Sequence, residues 1–98
     1  MFDVYESLAY NAIFGGVKLA WDNVAEQDVV VEFLALDSEN GTYNTLQSLF
    51  SNAPNSELKI RGLEAVESDF GAVVRDEYGQ RTDTLKFKAT PLFEEQLT

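Results

Sequence analysis

The run Val-Val-Val-Glu-Phe-Leu-Ala-Leu, Val29 to Leu36, constrains this chain more than any other stretch. Branched and aromatic side chains suit a pleated strand, and here apolar residues fall on nearly both of its faces. A strand at the edge of a fold alternates apolar with polar, whereas one in the interior does not. Asp28 to Leu36 is therefore predicted to be the central strand of a sheet.

The flanking residues suggest what surrounds it. Asp3 and Glu6 have the spacing of a capping box, and Val4, Leu8 and Ala12 then fall on one helical face, which predicts a helix from Val4 to Phe14. Gly15-Gly16 would end it, since glycine reaches the left-handed conformation found at helix C-termini. Tyr5, Tyr10, Ile13 and Phe14 widen its apolar surface beyond one stripe, as an interface would require. Val17, Leu19 and Trp21 alternate with Lys18 and Ala20 and read as a strand, with Asp22-Asn23 as a turn. After a turn at Ser38 to Gly41, Asn44 and Gln47 offer a second box-like start. Leu46, Leu49, Phe50 and Ala53 recur at helical spacing and predict a short second helix that stops by Pro54.

Three strands are predicted for the remainder. Leu58 and Ile60 alternate with Lys59 and Arg61, and the apolar phase then moves to Leu63 and Ala65, which places a bulge at Gly62. Phe70, Ala72 and Val74 pair as a hairpin with Leu85, Phe87 and Ala89 across the Tyr78-Gly79-Gln80 reversal, and Pro91 ends the last strand. The order is α-β-β-α-β-β-β: an α+β fold, with about five strands in a mainly antiparallel sheet and two helices on one face or at one end.

Ninety-eight residues supply one core, so residues 1–93 are predicted to form a single domain and 94–98 a short polar tail. An apolar fraction of 45%, with seven Phe, four Tyr and one Trp, is enough to fold it. The chain has no Cys, which excludes disulfides, thiolate nucleophiles and thiolate metal sites, and no His, which excludes the commonest general base and the Ser-His and Cys-His designs. No apolar stretch approaches the roughly 20 residues that span a bilayer, and no basic segment precedes an apolar run at the N-terminus. A soluble protein of the cytoplasm, or of a virion, is the expectation.

Seventeen Asp and Glu stand against seven Lys and Arg, a net charge of −10. No basic stripe exists to bind phosphates, so direct nucleic-acid binding is not expected. The acidity reads as a solubilising surface or, alternatively, as imitation of nucleic acid by an inhibitor that fills a basic groove. Arg61, Arg75, Arg81, Lys59, Lys86 and Lys88 gather in the C-terminal half, leaving only Lys18 outside. They are expected to pair with Glu57, Glu64, Asp76 and Asp83 across neighbouring strands, or to polarise the molecule for docking.

Residues able to carry chemistry are few. Asp37, Glu39 and Asn40 precede Gly41, but a calcium loop needs its Gly at position six and a bidentate Glu at twelve. Glu64, Glu67 and Asp69, and the pair Asp76-Glu77, read as solvated surface; adjacent strand residues face opposite sides and make a poor dyad. No glycine-rich segment joins a strand to a helix as a phosphate cradle would. No catalytic, cofactor or metal residue and no small-molecule substrate is therefore assigned.

In layout alone, a helix followed by a compact antiparallel sheet and an extended tail resembles the small head-to-tail connector proteins of tailed bacteriophages. That resemblance implies an assembly role. The expectation is a non-enzymatic module that binds a protein partner or a second copy of itself through Tyr5, Tyr10, Phe14, Leu92 and Phe93. The alternatives are an acidic inhibitor of a host nuclease or defence enzyme and a minimal enzyme built on carboxylates with Tyr43, Tyr78 or a bound metal.

Overall fold

The computed structural model describes residues 2–92. A short helix, α1 (Phe2–Ser7), is followed by seven strands: β1 (Ala9–Ile13), β2 (Gly16–Asp22), β3 (Val29–Asp37), β4 (Thr42–Ser51), β5 (Asn55–Arg61), β6 (Ser68–Asp76) and β7 (Leu85–Ala89). They form two antiparallel sheets, one of three strands in the order β1-β2-β5 and one of four in the order β4-β3-β6-β7. The α+β fold with two helices expected from the sequence is thus replaced by a two-layer β-sandwich.

Alternating residues of both sheets meet in the core. Val17, Leu19 and Trp21 of β2 and Leu58 and Ile60 of β5 face Val29, Val31 and Phe33 of β3, Phe70, Ala72 and Val74 of β6, and Phe87 of β7, all buried. Phe33 sits at the centre, its ring 5.1 Å from Phe70 and 6.2 Å from Phe87. The apolar run that begins at Val29 occupies the interior of the four-stranded sheet, between β4 and β6.

Two predicted helices fail for different reasons. The first stops at Ser7, whose Oγ donates to the Val4 carbonyl at 2.8 Å and accepts from the Asp22 amide at 2.8 Å. The chain then enters β1; Phe14-Gly15 make the hairpin turn to β2, with Gly15 at φ 74°, and Gly16 opens β2 opposite Ile13, so the two glycines do not cap a helix. Gly16 is needed there for room, because a Cβ would collide with the Ile60 carbonyl. Residues such as Tyr, Asn, Ile and Phe are weak helix formers, and stacking of Tyr10 on Phe87 at 4.2 Å favours the strand.

The second predicted helix, from Asn44 to Ala53, is instead the edge strand β4. Its pairing with β3 shifts register between Phe33 and Leu34, which leaves Leu46 as the extra residue of a bulge. Tyr43 and Thr45 lie on the same face as Ser48 and Phe50, opposite Leu36, Leu34, Glu32 and Val30. The bulge breaks the alternation of two into a step of three, which is what helical spacing looks like. The bulge expected at Gly62 is absent: β5 ends at Arg61, and Gly62 leaves the strand in the left-handed region at φ 82°.

Candidate interaction surfaces

The outer face of the four-stranded sheet is partly roofed by its own side chains. Tyr43 reaches across from β4 until Lys86 Nζ of β7 lies 5.3 Å from its ring centroid, a cation–π contact. Between them Gly71 provides the space, since a Cβ there would meet Thr84 Cγ2 at 2.7 Å and Tyr43 Cδ1 at 3.4 Å. Farther along, Arg75 Nε lies 3.0 Å from Glu32 Oε2, a charge pair without an aligned hydrogen bond. Leu34 and Val73, though they belong to this outer face, are buried.

Beyond this roof the face carries Phe50, 60% exposed, with half-buried Val30 paired beside it, and the bulge residue Leu46 of the same strand is 49% exposed. The strand carries no ionisable carboxylate or amine from Thr42 to Ser51. Aromatic and aliphatic side chains this open to water on one strand mark a surface that gains by being covered. Reading β4 as a helix hid the patch; Phe50 and Tyr43 became legible as one face only once the bulge was placed.

The residues expected to bind a partner are dispersed. Tyr5, on α1, is half-buried and packs against the core. Tyr10 is 44% exposed but has one ring face on Phe87. Phe14 and Leu92 are brought together by a parallel β-bridge, in which Gly15 N donates to Leu92 O at 2.8 Å and Leu92 N donates to Ile13 O at 3.0 Å. Leu92 is therefore held to the end of β1 and does not begin a free tail. Phe93 lies outside the described residues, as does the tail predicted at 94–98.

A shallow concavity of about 540 Å³ lies on the outside of the three-stranded sheet, where Ala9 and Ala20 leave space beside Ser7, Asp22, Asn55 and Glu57. Glu57 is already engaged by Lys18 at 3.8 Å and Lys59 at 3.6 Å. Of the other acids singled out, Asp37 is occupied within its turn, accepting from Glu39 N at 3.0 Å and Asn40 Nδ2 at 2.8 Å. Asp76 Oδ1 accepts from Tyr78 N and Gln80 N, both at 2.9 Å, and Asp69 faces Lys88 at 4.0 Å. Among the described residues no three acidic side chains gather as a metal site would require. No described helix is long and apolar enough to cross a membrane.

Two antiparallel sheets, with the third and fourth strands on the sheet opposite the first, second and fifth, define an immunoglobulin-like β-sandwich domain. The chain belongs to the family described as a domain of unknown function, DUF5126, whose profile matches residues 1–98. Among solved structures it is similar to the SusE-like protein BT2857, with a TM-score of 0.79 and 21% identity, over 93% of this chain and 31% of that one. At that identity the likeness shows the fold. The chain spans about a third of the length of that protein. No curated protein matches it. The layout likeness to phage connectors rested on the α+β order and is not retained.

Proposed function

We propose that this domain is a non-catalytic binding unit that acts through protein–protein contact. The observation that carries this reading is the apolar surface of Leu46 and Phe50 on an uncharged edge strand, beside the Tyr43–Lys86 roof. Immunoglobulin-like sandwiches lend themselves to such a role because a rigid core holds edges and loops in fixed positions, although the fold alone does not decide it. Similarity to a protein about three times as long supports a setting in which the domain is one unit among others.

The test is capture of partners from the natural source by the tagged chain and by the Leu46→Ser, Phe50→Ser double variant. The expected result is a discrete protein partner that the unaltered chain retains at high salt and the variant loses, with an unchanged melting temperature. Retention of every partner by the variant would move the interface elsewhere. A purified chain that converts a substrate without any partner would overturn the binding reading.

A further inference from the structure

A sandwich has four sheet edges, and three of them in this molecule are blunted. β1 is five residues long, and the bridge of Phe14 to Leu92 closes its end. β5 carries Glu57, Lys59 and Arg61, and β7 is five residues long with Lys86 and Lys88. Charge, shortness and coverage are the usual means by which an edge avoids pairing with another chain. β4 has none of these three: it is ten residues long, without charge and without proline, no described strand pairs with its outer edge, and the bulge at Leu46 is the one edge-breaking feature it carries.

The row of backbone N–H and C=O groups on that edge determines what can cover it, since an extended strand satisfies such a row and a helix or loop does not. The charge pattern narrows the occupant further. When a strand pairs with its own copy about a two-fold axis, every residue meets a residue of the same strand, so any charge pattern risks opposing like with like. In a chain of net charge −10, the stretch from Thr42 to Ser51 is free of that conflict. A partner recognised by charge would find nothing to complement along the strand.

The bulge supplies a register. Because Leu46 reverses the alternation, a two-fold centred between Leu46 and Gln47 sets outer-face residues against outer-face residues. Tyr43 of one copy then lies opposite Phe50 of the other, and Thr45 opposite Ser48. Without the bulge the same register would set outer-face residues against inner ones.

Resting on the reading of this surface as a protein-binding one, we propose that the occupant of the β4 edge is a second copy of this chain, joined antiparallel so that two four-stranded sheets become one of eight. Each copy repels the other through its net charge, so added salt strengthens the pairing.

The experiment is light scattering on the purified chain over a range of concentrations at low and high salt. The mass is expected to rise from 11.0 kDa toward twice that value with concentration, at lower concentration when salt is high. Leu46→Lys and Phe50→Lys are each expected to hold it monomeric, and exposure of both side chains lets the fold accept them. The absence of Cys allows a second arm: Tyr43→Cys with Phe50→Cys should cross-link as a dimer on oxidation, whereas either Cys alone should not. A chain that stays monomeric throughout, a dimer that survives both lysine substitutions, or cross-linking as efficient with one Cys as with two would overturn the proposal. A monomer that still captures a different protein through Leu46 and Phe50 would sink this inference and leave the binding reading standing.

Discussion

At the scale of single residues, Asn23 is a buried polar side chain that ties down a loop. It is 2% exposed; its Nδ2 donates to Gln27 O at 2.7 Å, its Oδ1 accepts from Gln27 N at 3.0 Å, and its backbone N–H donates to Pro54 O at 2.7 Å. These bonds hold the loop between β2 and β3 tightly enough to keep Glu26 in the left-handed region at φ 52°, a conformation that persists only where the surroundings impose it. Asn23→Ala removes two hydrogen bonds to the Gln27 backbone, and chemical denaturation is expected to show a loss of about 1–3 kcal/mol. Tyr78 gives a pH-dependent signature. The neighbouring Glu77 carboxylate favours the protonated hydroxyl as a hydrogen-bond acceptor and repels the phenolate, with Asp76 adding to the repulsion, so its pKa lies above the ordinary 10.0. A raised pKa means that any stability contributed by this group is present below the ordinary value and is lost as pH rises through the folded one. Ultraviolet titration should find Tyr78 ionising above the ordinary value, and Glu77→Gln should lower it.

At the scale of elements, the bridge between the end of β1 and Leu92 separates backbone from side-chain contributions. Leu92→Ser removes a side chain that is 43% exposed and leaves both bridge hydrogen bonds in place. Leu92→Pro removes the amide that donates to Ile13 O, and urea denaturation is expected to show it as the more destabilising change, by about 0.5–1.5 kcal/mol for the lost bond. Legibility in the sequence also varied by element. β2, β6 and β7 alternate and β3 runs apolar but for Glu32, so their strand character survives inspection. β4 does not, because one inserted residue at Leu46 turns two strand phases into the spacing of Leu46, Leu49, Phe50 and Ala53. β1 failed because five residues hold too few repeats to separate a period of two from one of 3.6, and only its pairing with β2 decides the matter. The division into two sheets depends on which strands pair, which local spacing does not encode. The candidate surface inherited these errors: Phe50 lay inside a supposed helix and Tyr43 just before its start, whereas Phe14 and Leu92 were noticed as apolar but not as a bridging pair.

At the scale of the molecule, the same bridge fixes how the domain would bear load. Helix α1 is tied by Ser7 to Asp22, at the end of the sandwich where β1 begins, whereas Leu92 runs parallel to the residues where β1 finishes. Tension applied through the two ends therefore drags β1 one way and the Leu92 segment the other, along the direction of both strands. The bonds Gly15 N to Leu92 O and Leu92 N to Ile13 O lie across that direction and are stretched together in shear, where a perpendicular pull would peel them apart one by one. A domain so clasped is expected to hold its length until both bonds give way together, an outcome that pulling on its two ends would read as one abrupt step.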